Sequence, residues 1–445
     1  MKTAGPVTTP APQIWISLPF FIFGFTSLGI GLFWLLCNPT MLEGHYYKPE
    51  LLSWTHLIVL GWLVSMVVGA AYQLVPVITG RLLWSPLLAG LHAAIHIVCL
   101  PGMVLSFQTM DFYAISHWGS ALFLGLLLFI INILVTAGWR ARRSIPALGL
   151  VFAVTWLGIM LTVVLYALAA KYLPISKHPP FRLLQLHAHL GFGGFLLMTL
   201  MGAAYRLIPM FTLSPAVHPW RAGISLASFN LALIGLSLTL WFGWLIALPW
   251  IALLAAFSII LFLTEISTLI RNRKRRLDWG LRLFLFALYS LVPVMGFVLW
   301  QAFVMAGWMT APAFALPQTY FLLTALCVLS LTIFGMAGRI LPFLIWHWRY
   351  SVRVGHGPVP LVHELTSPSC QRWSALALMP ATLLLAAGMV AVSPLLLQLG
   401  TGLFLVGFII NGVNLALLAR HAIAPIPRSD AVKTTSFNRP QPAHL

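Results

Sequence analysis

The chain has 445 residues, 60% of them hydrophobic and only 7% charged, with a mean hydropathy of +0.97. That balance excludes a soluble globular domain and implies an integral membrane protein. The net charge of +18 does not point to nucleic acid, because the Lys and Arg gather in loops and tails on one side of the predicted spans.

Residues 1–13 are polar and Pro-rich, with no cleavage site behind a signal-like segment. They are expected to form a cytoplasmic tail. Twelve apolar segments follow, each long enough to cross a bilayer as a helix. Their cores are 14–36, 52–79, 85–107, 112–139, 146–170, 183–211, 222–244, 246–270, 280–305, 316–346, 373–393 and 396–420. The runs are continuous rather than alternating, which excludes a membrane β-barrel. The densest basic run, Arg271 to Arg276, joins the eighth and ninth spans. It reads as an orientation signal that touches anionic headgroups and places both termini in the cytoplasm. A multi-pass protein of a bacterial inner membrane is expected. Residues 421–445 are expected to be a disordered cytoplasmic tail.

The second span repeats in the sixth. Leu51–Thr79 aligns without gaps on Leu184–Thr212 at an offset of 133, with 12 identities in 29 positions. His56, Gly61 and Gly69-Ala70-Ala71-Tyr72 meet His189, Gly194 and Gly202-Ala203-Ala204-Tyr205. A fainter third copy lies 133 residues further on. Gly335, Ala337 and Pro342 keep their columns, Arg339 matches Arg206, and Leu322 stands at the His column. The expectation is an all-α membrane domain, 14–420, of twelve transmembrane helices in three pseudo-threefold four-helix units, about 14–139, 146–270 and 280–420. The Gly and Ala of the repeat are read as helix-packing positions.

Of 14 histidines, several fall inside spans, where an ionisable side chain is costly and is a functional hypothesis by default. His56, His117, His187 and His189 all lie a few residues from the outer start of their spans and are expected to form one layer. His187 and His189 are roughly 200° apart on a helix, so both cannot face one iron. His56 and His189 are therefore the candidate axial pair of a non-covalent haem b. His187 and His117 are further cofactor candidates. His92 and His96 share a helix face at i, i+4 and are a separate metal candidate. Each of these histidines also has a plain reading, a hydrogen bond to a neighbouring helix. Cys37, Cys99, Cys327 and Cys370 form no CxxC or CxxCH, which argues against covalent haem and thiolate metal sites. Glu265 lies near the inner end of the eighth span and reads either as a structural acid, snorkelling or paired with a nearby Arg, or as part of a proton path.

On these features the chain resembles the large catalytic subunit of the haem–copper oxidase superfamily and its nitric oxide reductase branch. The shared features are twelve spans, N-in topology, and an early His in the second span followed by Gly69-Ala70-Ala71-Tyr72-Gln73-Leu74-Val75-Pro76. The resemblance implies that His56 ligates a haem. It also implies that His187 or His189 stands where the family holds copper or a non-haem iron. It departs from the family in three places. The tenth span has no His in its outer half, the seventh has none, and the His-Pro-Glu signature of the sixth is absent.

The expected function is a haem b-binding membrane protein in respiratory electron transfer or diatomic gas handling (NO or O2). The alternatives are an active NO or O2 reductase with a non-standard metal site, and a cofactor-free structural subunit of a respiratory complex. Whether the chain is an enzyme is left open. Expected partners are membrane lipid, other subunits of a complex, and a cytochrome c or quinol electron donor.

Overall fold

A computed structural model describes residues 14–139, 144–173, 179–354 and 358–423. The expected tails, 1–13 and most of 421–445, lie outside these residues, as do His178, His356 and His444; 421–423 continue the last helix. Among the described residues every regular element is helical.

Twelve helices are long and apolar enough to cross a membrane. They are α1 (Ile14–Cys37), α2 (Pro49–Thr79), α3 (Pro86–Gln108), α4 (Phe112–Ala137), α5 (Ile145–Tyr172) and α6 (Pro180–Thr212). They continue as α7 (Pro219–Phe242), α8 (Leu245–Arg271), α9 (Trp279–Met305), α10 (Leu316–Tyr350), α11 (Pro368–Val390) and α12 (Pro394–Ala422). The chain is a multi-pass integral membrane protein. Proline opens many of these helices, where its missing N–H costs nothing. Side chains of Asp111, Asp278 and Ser367 cap the first turns of α4, α9 and α11.

The three repeat-bearing helices are the longest, at 31, 33 and 35 residues. At 1.5 Å per residue they reach about 46 to 52 Å, more than a hydrocarbon core about 30 Å thick. They are also the most buried of the twelve. Each contains a π-helical stretch of 8 residues: Leu57–Val64, Leu190–Leu197 and Leu323–Ser330. The starts are spaced by 133, the sequence offset. The wider turn leaves carbonyls to side chains, as when Ser65 Oγ donates to Leu60 O and Ser330 Oγ to Ala325 O.

The repeated glycine is a packing position. A Cβ on Gly69 would meet Phe21 of α1 at 2.8 Å, one on Gly202 the Pro146 carbonyl of α5 at 3.0 Å, and one on Gly335 the Gly280 carbonyl of α9 at 2.7 Å. In all three places the missing side chain admits the helix immediately before it in the chain.

A second contact recurs three times, always across 47 residues. Asn132 Oδ1 of α4 accepts the Ser85 N–H at 3.1 Å, and Asn414 Oδ1 of α12 accepts the Ser367 N–H at 2.8 Å. Between them Glu265 Oε1 of α8 accepts the His218 N–H at 2.8 Å. Each ties a helix to the N-terminus of its predecessor, satisfying an N–H that has no partner within its own helix. Glu265 is fully buried and also bridges Arg221 at 3.2 Å and His218 Nδ1 at 3.0 Å. Of the two sequence readings of this acid, the geometry favours the structural one.

Replacing Glu265 with Ala leaves Arg221 without its carboxylate and strands the His218 N–H. The expected loss is about 3–5 kcal/mol, read as a lower unfolding temperature in detergent. Glu265→Gln keeps the N–H acceptor and is expected to lose less.

Candidate functional site

His56 and His189 are held alike. His56 Nδ1 lies 2.7 Å from Leu52 O, and His189 Nδ1 lies 2.8 Å from Gln185 O. In both, the partner is the carbonyl four residues earlier. A carbonyl only accepts, so Nδ1 carries the proton and the lone pair sits on Nε2. An imidazole oriented by a backbone carbonyl, with Nε2 free, is the usual state of a metal-ligating histidine. Both residues immediately precede the π stretch of their helix.

Their neighbours follow one rule. His56 of α2 and His187 of α6 lie near one another across the helix interface. His189 of α6 has its Nε2 3.5 Å from the Tyr320 hydroxyl of α10. His187 and Tyr320 are 133 residues apart and share a column with Trp54. So the His column of one long helix faces the Trp/His/Tyr column of the next. At the third position Leu322 is fully buried, and the Trp54 ring lies 6.3 Å from its neighbour Phe321. His56 Nε2 makes no hydrogen bond among the described residues, and its ring stacks on Phe107 of α3 at 4.3 Å and 19°. His187 Nδ1 is buried and has no hydrogen-bond partner.

A loop roofs this layer. Gln318 Nε2 donates to Gly44 O at 2.6 Å. His45 stacks on Tyr46 at 4.5 Å, and Phe181 packs edge-on against His45, Tyr46 and Tyr47. Burial pushes the Tyr46 phenol pKa up, and a hydrogen bond to Gln185 offsets part of that. Tyr46, Gln185 and Tyr320 were not singled out from the sequence. The His45-Tyr46-Tyr47 run in the first outer loop was the available signal.

The other candidates lie elsewhere. His117 is exposed on α4, with Tyr113 as its ring neighbour at 5.7 Å. His92 and His96 are fully buried, with ring centroids 5.7 Å apart. His92 Nδ1 is 3.0 Å from the Tyr72 hydroxyl. His96 Nε2 is 3.0 Å from Ser65 Oγ and 3.1 Å from Leu60 O, one of the carbonyls of the π stretch. His92 also occupies a packing column. A Cβ on Gly125, 33 residues later, would meet its ring at 3.3 Å. In the corresponding places Ser225 donates to Ser258 O and Ser374 to Gly407 O, also across 33 residues. No group of three or more His, Cys, Asp or Glu side chains lies together among the described residues.

His56, His187 and His189 thus offer imidazole nitrogens with no acid or thiolate among them. Such donors suit a haem iron.

No family model and no curated protein matches the chain. Solved structures do. The fold is similar to that of a haem–copper terminal oxidase dimer seen by cryo-EM, with a TM-score of 0.63 and 13% identity over 96% of this chain and 86% of that one. The fold is haem–copper oxidase subunit I-like. At that identity the likeness carries the architecture and leaves the chemistry to this chain's own residues.

Replacing Tyr72 with Phe removes the partner of His92 Nδ1 in a buried site. The expected cost is about 1–3 kcal/mol, measured by thermal unfolding. Any haem absorbance of the folded protein is expected to be unchanged.

Proposed function

We propose that the chain binds haem b between α2 and α6 and serves respiratory electron transfer or the handling of a diatomic gas. The observation that carries this is the shared geometry of His56 and His189. Each has Nδ1 tied to the carbonyl four residues back, which leaves Nε2 as a lone-pair donor. Support comes from His187, whose buried Nδ1 lacks a partner and which lies near His56 across the helix interface. His56 with His187 would hold the iron, and His189 is the alternative second ligand. A haem bound there would supply one-electron redox chemistry. The protein's own contribution is to fix the imidazole tautomers, to cover the His56 ring with Phe107, and to close the layer under the Tyr46 loop.

The missing histidines of the seventh and tenth spans weigh against the usual two-metal oxygen chemistry. Among the described residues no three His, Cys, Asp or Glu side chains gather as a donor set for copper or non-haem iron. The positive-inside distribution supports an orientation with the histidine layer toward the outer face of a bacterial inner membrane. A cytochrome c or quinol and further subunits are the proposed partners. Leu322, which stands where the third unit of the proposed pseudo-threefold arrangement would carry its His, favours the scaffold alternative for that unit alone.

The test is the absorption of the detergent-purified full chain, oxidised and dithionite-reduced, with and without CO. A reduced b-type α-band that CO does not move supports a six-coordinate electron-transfer haem. A CO-shifted Soret band moves the reading to gas handling. His56→Ala is expected to abolish most of the Soret absorbance, while His117→Ala leaves it intact. Of His187→Ala and His189→Ala, the true ligand gives the larger loss. A folded wild-type protein with a flat spectrum contradicts the haem reading.

A further inference from the structure

A cavity of about 120 Å³ lies among α2, α6 and α10. Its lining repeats at the 133-residue offset: Leu63, Leu196 and Leu329 line one end, and Leu74, Leu207 and Ile340 the other. The two ends are eleven residues apart along each helix, about 16 Å at 1.5 Å per residue. The first trio is almost fully buried, and Trp62 of α2 closes that end by donating Nε1–H to Ser330 Oγ of α10 at 2.8 Å. Leu74 and Ile340 are part-exposed, as are Ala70 and Ala203 further in. The cavity is therefore a vestibule open at the end away from the histidine layer.

The walls offer nothing to water or ions. Two threonines are the polar lining, and both are satisfied within their own helices: Thr199 Oγ1 donates to Phe195 O and Thr332 Oγ1 to Leu329 O, each at 2.7 Å. An apolar cavity of this kind stays dry and takes apolar groups. The rim is the opposite. Arg206 is exposed beside the lining residue Leu207. Arg339 occupies the same column on α10, hydrogen-bonds Asp278, and is within charge range of Arg275. The Arg275 loop is pinned under α6, where the Lys274 and Arg275 N–H groups both donate to Thr212 O at 3.1 Å. Arg339 is thus paired with a carboxylate near the mouth of a hydrocarbon-lined slot, while Arg206 stands exposed beside it.

We propose that this vestibule takes part of one acyl chain of an anionic phospholipid, drawn from the leaflet at the basic end, with its phosphate on the Arg206 side of the rim. A neutral lipid satisfies the walls and not the rim, and a soluble phosphate satisfies the rim and not the walls. The site lies at the other end of the bundle from the histidine layer and does not depend on what that layer binds.

The test is native mass spectrometry of the full-length protein in micelles with equal phosphatidylglycerol and phosphatidylcholine. One retained phosphatidylglycerol is expected, in clear excess over phosphatidylcholine. Ala203→Leu and Ala70→Leu fill the slot, and each is expected to cut retention roughly tenfold, the worth of about two buried methylenes. Arg206→Gln is expected to cut the preference for phosphatidylglycerol about fivefold, the worth of one basic side chain at an anionic surface. Equal retention of the two lipids by the wild type overturns the proposal, as does unchanged retention in both filled variants. Should the filled variants not fold, spin-labelled phosphatidylglycerol on the wild type decides. One immobilised lipid, displaced by unlabelled phosphatidylglycerol and not by phosphatidylcholine, supports the proposal. No immobilised component overturns it.

Discussion

Hydrocarbon contains no water, so a polar group inside this bundle must find its partner within the chain. That constraint orders the structure. It makes the spans helical and ties helix N-termini to Asn132, Glu265 and Asn414. It gives the opened carbonyls of the π stretches to Ser65, Ser330 and His96. Against such pairing, a buried imidazole nitrogen left without a partner needs a reason. His187 Nδ1 and the Nε2 of His56 are two such nitrogens, on neighbouring helices. His92 Nε2 and His96 Nδ1 are also unpartnered, but His96 holds a carbonyl opened by the π stretch and His92 fills a column that elsewhere carries packing serines.

Much of this was legible in the sequence. Hydropathy gave the number of spans and their limits to within a few residues. The ungapped 133-residue offset marked the three long helices, the shared depth of His56 and His189, and the packing role of the repeated Gly. What it could not give was which side chains meet. A repeat aligns equivalent positions, and equivalent positions on neighbouring helices need not face each other. Here the His column meets a different column, filled by Trp54, His187 and Tyr320. Those three residues share no chemistry, so nothing in their identities marked them as a set.

The helix-tying contacts were hidden for a related reason. Their carrier is Asn in two places and Glu in the third. The offset is 133 between the first two and 149 between the second and third, because α10 and the segment after it are longer. The π stretches have no residue signature, and the apolar vestibule is visible only once three helices are placed side by side. The molecule then divides along its length. Polar donors and aromatic covers gather at one end, and a hydrocarbon slot with a basic rim occupies the other.

The most direct test of the central claim is electron paramagnetic resonance of the oxidised, detergent-purified protein. The free imidazole nitrogens predict a low-spin ferric signal from a haem with two imidazole axial ligands, at about one per chain. A monodisperse, folded protein with neither iron nor signal would contradict it, and would leave the histidine layer as part of a scaffold.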